Sequence, residues 1–127
     1  MKALLDTHVF LWAIAEAQKL SPRAQQVYTG SNELWLSVAS LWEALIKTKT
    51  GKLPLPQPAG PYLVKELAKN RIEVLPIKLD HVLRIESLPG HHRDPFDRIL
   101  IAQSLEEKLP LVTADPVFDR YEIELIW

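Results

Sequence analysis

Four carboxylates in this chain stand where a regular element should begin. Asp6 follows Ala3-Leu4-Leu5, Glu43 follows Leu34-Trp35-Leu36-Ser37-Val38 by a few residues, Asp97 opens the apolar run Ile99-Leu100-Ile101-Ala102, and Asp115 follows Leu109-Pro110-Leu111-Val112-Thr113. Each has a local explanation. Asp6 and Asp115 can cap the next helix or turn, Glu43 can complete a Ser40-x-x-Glu43 capping box, and Asp97 is a favourable charge near a helix start. Gathered at one place, they would do something else. Two such charges about 4 Å apart repel by about 4 kcal/mol at an effective dielectric near 20, so a cluster needs a cation or raised pKa values. Carboxylate oxygens, with no cysteine and no His-x-x-x-His spacing, suit Mg²⁺ or Mn²⁺ rather than zinc. Such an ion suits phosphate chemistry, because it polarises a phosphodiester oxygen and lowers the pKa of a bound water.

The elements around the acids decide whether they can meet. Ala3-Leu4-Leu5 reads as a buried central strand, Leu34–Val38 as a second, Ile72–Pro76 as a third, Leu109–Thr113 as a fourth and Glu122–Trp127 as a short last one. Between them lie helical stretches: Thr7–Leu20, Pro22–Thr29 behind a Ser21 cap, Ser40–Thr50, Tyr62–Asn70, Leu79–Leu88, and a helix after Asp94-Pro95. Gly51–Pro61, with four prolines and two glycines, reads as loop. Strands alternating with helices predict an α/β fold: three layers, α/β/α, around a central, mainly parallel sheet of four to five strands. In such a sheet the residues beyond the strands' carboxyl ends line one edge, where ligands bind. That edge is where Asp6, Glu43, Asp97 and Asp115 are all sent.

Composition sets the remaining bounds. The 127 residues suit one domain, 1–127, and 47% hydrophobic with 24% charged residues argues against disorder. Without cysteine there is no disulfide and no thiolate nucleophile. Asp6 arrives too early for a signal-peptide core, and no apolar run reaches the roughly 18 residues of a membrane span, so a cytoplasmic protein with no membrane partner is expected. The net charge of −1 is uninformative by itself, but setting four acids aside as metal-neutralised leaves a mildly basic remainder.

Met1-Lys2-Ala3-Leu4-Leu5-Asp6-Thr7-His8, Ser37-Val38-Ala39-Ser40-Leu41-Trp42-Glu43, His92-Arg93-Asp94-Pro95-Phe96-Asp97-Arg98-Ile99-Leu100-Ile101-Ala102-Gln103 and Leu109–Asp115 resemble, in order and spacing, the motifs of the PIN-domain family. More narrowly they look like the VapC-type toxins of toxin–antitoxin pairs, and the resemblance spans essentially the whole chain. It implies a PIN-like fold and a Mg²⁺- or Mn²⁺-dependent endoribonuclease whose metal is bound by Asp6, Glu43, Asp97 and Asp115. It also implies a homodimer restrained by a cognate antitoxin. Thr7, Ser37 and Thr113 fall where the family places small hydroxyl residues near the metal, though caps and turns use the same residue types. Asp94, just before Pro95, reads as the helix cap rather than a ligand, and Asp119 as a lesser candidate.

RNA requires cations around the acids. Lys47, Lys49 and Lys52 follow Glu43, and His91, His92, Arg93 and Arg98 flank Asp94 and Asp97. The lysines could equally be a solvated helix end, and Arg98 an ion-pair partner of Asp94. His8, His91 and His92 are weak general-base candidates. Of Trp12, Trp35, Trp42 and Trp127, most are expected in the core, although the resemblance places an antitoxin segment across the helices bearing Trp12 and Trp42. Two competing readings are a non-catalytic PIN-fold binding module and a receiver- or phosphatase-like domain with a phosphate-accepting acid. The second generally needs a lysine after a late strand, and none follows Lys108.

Overall fold

Alternate residues of the first strand are buried on opposite sides, and that two-sided burial sets the architecture. In a computed structural model, which describes residues 1–91 and 93–127, β1 (Lys2–Leu5) sends Ala3 and Leu5 into one apolar cluster and Leu4 into another. The next strand, β2 (Glu33–Ser37), repeats the pattern, with Leu34 and Leu36 on the first side and Trp35 on the second. With β3 (Ile72–Leu75), β4 (Leu111–Val112) and β5 (Leu125–Ile126) they form one sheet in the order β3-β2-β1-β4-β5, and every pairing is parallel. The expected mainly parallel sheet is wholly parallel among the described residues, with β1 at its centre.

Helices cover both faces. On the Ala3/Leu5 side lie α1 (Thr7–Ala15), α2 (Pro22–Thr29) and α4 (Ala59–Lys69), which contribute Val9, Phe10, Ala24, Val27, Leu63 and Leu67. On the Leu4 side α6 (Pro95–Glu107) brings Leu100 and Ile101, and packs against α5 (Leu79–Glu86) and α3 (Val38–Lys49). Ile99 through Ser104 are buried without a break, so α6 has almost no solvent face beyond its ends.

Several element boundaries depart from expectation. The helix expected over Thr7–Leu20 stops at Ala15, and a short 3-10 turn over Ala17–Lys19 carries the chain on so that Leu20 reaches the core. The third helix starts at Val38 rather than Ser40, because Ser37 is the cap, its Oγ accepting the Ala39 N–H at 3.1 Å. The fourth starts inside the expected loop. Pro61 sits in its first turn, where a missing N–H leaves no intrahelical bond unmade. The last two strands pair over only two residues each.

Candidate active site

Asp6 and Asp115 follow β1 and β4, Glu43 and Asp97 lie in early turns of α3 and α6, and their local settings differ. Asp6 joins β1 to α1 in an N-cap position, yet its side chain makes no capping bond among the described residues. Instead Oδ2 accepts the Thr113 hydroxyl at 2.8 Å, across the β1–β4 pairing. It is 4% exposed. Burial pushes its carboxyl above the usual range, the Thr113 hydrogen bond and His8 pull it down, and the charges of Glu43 and Asp115 push it up again. Those two acids are therefore close enough to act on Asp6 electrostatically.

Glu43 lies in the second turn of α3, not the first. The expected Ser40–Glu43 capping box is absent, since Ser40 is inside the helix and its Oγ accepts the Thr7 hydroxyl at 2.8 Å. Glu43 is 5% exposed and held by Lys47 Nζ at 2.8 Å, one turn later on the same helix. Asp97 is half-buried in the first turn of α6, and Asp94 caps that helix as expected, its Oδ1 accepting the N–H groups of Phe96 and Asp97 at 2.9 and 3.2 Å. Asp115 is exposed. Its Oδ1 caps the 3-10 turn Pro116–Arg120 through the Val117 N–H at 3.0 Å, and its own N–H is held by Thr113 Oγ1 at 3.1 Å.

Thr113 thus binds two of the four acid positions. Ser37 caps the helix that carries Glu43, and Thr7 ties the start of α1 to α3 through Ser40, a residue the capping-box reading had put to another use. A donor set of four carboxylates fits a hard divalent cation. As the side chains stand, no three His, Asp or Glu groups among the described residues are gathered tightly enough to hold one. The Lys47 ammonium is the counter-charge on Glu43.

The expected RNA contacts divide. Lys49, Lys52 and Arg93 are exposed, whereas Lys47 pairs with Glu43. Arg98 donates to the Pro89 and Ile85 carbonyls at 3.0 and 3.2 Å, tying the end of α5 to the loop before α6. Asp119 and His8 are exposed, as is His91, whose ring meets the Tyr121 ring edge-on at 5.5 Å; His92 lies outside the described residues. The tryptophans do not form the core. Trp42 is 60% exposed with its ring against Phe96, Trp127 is exposed beside Trp12, and Trp12 and Trp35 are half-buried, because helices and strands place them at the margins of the two clusters.

The sequence profile of the PIN domain matches residues 3–124. The chain belongs to the PIN-domain family. It is 32% identical over 115 residues to ribonuclease VapC22 of Mycobacterium tuberculosis, covering 88% of this chain and 85% of that protein. VapBC2 from Rickettsia felis, solved bound to a DNA fragment from their promoter, superposes with a TM-score of 0.73 over 98% of this chain and 97% of its own at 15% identity. A toxin–antitoxin complex from Klebsiella pneumoniae superposes at 0.60 over 91% and 89% with 17% identity. At those identities the likeness is one of fold. The three-layer α/β/α arrangement of this PIN domain is the one the strand and helix pattern predicts.

Proposed function

We propose that this PIN domain is an endoribonuclease, hydrolysing RNA phosphodiester bonds with Mg²⁺ or Mn²⁺ held by Asp6, Glu43, Asp97 and Asp115, and that it is the cytoplasmic toxin of a toxin–antitoxin pair. The observation that carries this reading is Asp6: buried, released from capping, oriented by Thr113 and burdened by Glu43 and Asp115. A carboxylate kept in that position costs stability unless a cation offsets it. Its setting in a chain 32% identical to a ribonuclease over most of both lengths gives the cation a use.

A bound Mg²⁺ or Mn²⁺ supplies charge neutralisation at a phosphodiester oxygen and a water of lowered pKa. The chain's own part is positioning. Thr113 fixes one Asp6 oxygen and the Asp115 backbone, Asp94 fixes the start of α6, Ser37 caps α3, and Thr7 ties α1 to α3 through Ser40. Lys47 is placed to release Glu43 toward an incoming cation or to keep it. The second outcome is what a non-catalytic binding module would show.

The partners follow from two exposed apolar stripes. Val38, Trp42, Leu45 and Ile46 lie along one face of α3, all at least 39% exposed, beside Lys49 and Lys52; an antitoxin segment with apolar anchors and acidic flanks fits this face. Leu79, Val82 and Leu83, 71%, 51% and 58% exposed, make the outer face of α5. We assign that face to a second copy of the chain. Antiparallel packing of two such helices sets Lys78 of each, 3.5 Å from Glu107 of its own chain, beside Glu86 of the other, and Glu86 has no ion-pair partner among the described residues. No described helix is long and apolar enough to cross a membrane.

The test is cleavage of single-stranded and structured RNA by the purified chain and its Asp6→Asn variant, with Mg²⁺, Mn²⁺ or EDTA. Cleavage that needs the metal and falls by at least about 100-fold in the variant is expected. In EDTA the variant should melt above wild type, its buried charge being gone. Metal-independent cleavage, or equal cleavage by both proteins, overturns the reading.

A further inference from the structure

A cleft of about 460 Å³, lined by none of the four acids, opens between the loop that leads into α6 and the segment that follows Asp115. Leu88, Leu105 and Tyr121 form its apolar floor, and His91, Arg120 and Glu122 its rim. Its walls continue two acid-bearing segments. Arg120 ends the 3-10 turn that Asp115 caps, about 10 Å along at the ~2 Å rise per residue of such a turn. His91 stands just ahead of Asp94, the cap that orients Asp97. The loop wall is braced, because the Pro89 carbonyl accepts from Arg98 at 3.0 Å and from the Tyr121 hydroxyl at 3.4 Å.

We infer that this cleft holds one nucleotide of the RNA, flanking rather than at the cut, and reads its base. The inference rests on the ribonuclease reading above. The volume suits a single nucleotide rather than a peptide segment or a duplex. Arg84, the other cation of the lining, is already paired with Glu106 at 2.7 Å, whereas Arg120 has no ion-pair partner among the described residues and is the group for a phosphate. The exposed His91 ring, held edge-on to Tyr121 at an interplanar angle of 76°, offers a face on which a base stacks. Glu122 is acceptor-only when ionised, so it favours a base edge with two adjacent donors, such as guanine N1–H and its exocyclic amine, over uracil, whose single N3–H donor is flanked by two carbonyl oxygens.

The experiment uses the full chain with Mg²⁺ on a pool of single-stranded RNAs randomised around the cut, with products sequenced for wild type, His91→Ala, Arg120→Ala and Glu122→Gln. Melting curves confirm that each variant folds. Arg120→Ala should raise KM about tenfold, well beyond any fall in kcat. Glu122→Gln should relax the discrimination against uracil at one position near the cut. Unchanged KM and unchanged base preference in all three variants overturn the inference and leave the ribonuclease reading standing. A wild-type chain that cuts no RNA defeats that reading instead. The cleft is then judged by fluorescence anisotropy of a labelled oligoribonucleotide in EDTA, where equal binding by wild type and Arg120→Ala overturns it. Loss of binding to a protein partner in Arg120→Ala, with RNA binding intact, overturns it as well.

Discussion

Thr113 shows how one hydroxyl can serve two acids. Its Oγ1 donates to Asp6 and accepts from the Asp115 N–H, so it couples the central strand to its neighbour just where the candidate metal site lies. Thr113→Val keeps the shape and removes both bonds. Calorimetric titration with Mn²⁺ should then show affinity reduced about 10- to 100-fold, with the fold intact by circular dichroism; unchanged affinity would reduce Thr113 to a packing residue. The family resemblance put Thr113 near the metal or in a turn but could not name its partner, because a spacing of 107 residues from Asp6 carries no local signal. Lys47 is the reverse case. Its place after Glu43 suggested an RNA contact or a solvated helix end, and the i,i+4 geometry of α3 sets it 2.8 Å from that carboxylate.

At the scale of the element, α6 is a buried helix aimed by its cap. Asp94 satisfies two of the N–H groups at its start, including that of Asp97, so the orientation of one acid depends on the other. Asp94→Ala should cost about 1 kcal/mol in denaturant unfolding and also lower RNA cleavage, while Asp94→Asn, which keeps a cap oxygen, should restore both. Loss of stability without loss of cleavage would separate cap from site. The capping residue was legible because Asp-Pro before an apolar run leaves few alternatives. The start of α3 was not. Ser37 and Ser40 both satisfy the local rule, and the choice fell to Ser37 because Ser40 is engaged by Thr7 from a different helix.

For the whole molecule, the outer face of α5 is the surface we assign to a second copy of the chain. The helix presents Leu79, Val82 and Leu83 outward while His81 is buried on its inner side, giving Nε2 to Glu107 of α6 at 2.7 Å. Leu83→Glu puts like charges at the centre of a symmetric contact. Analytical ultracentrifugation should show a dimer for wild type and a monomer for the variant, with the melting curve of each still cooperative. A wild-type monomer at micromolar concentration would return the stripe to other uses.

By itself the sequence determined the class of fold and a mainly parallel sheet, with Asp6 and Asp115 just beyond two of its strands. Alternation of apolar residues and strand-to-helix order depend only on neighbours along the chain. The tertiary structure alone decided that Asp6 is released from capping and held by Thr113, that Glu43 faces Lys47, that Trp42 lies outside the core, and that Arg120 and His91 border one cleft. Those outcomes belong to pairs distant in sequence. Which of two locally acceptable partners a polar group takes is settled only when the layers pack.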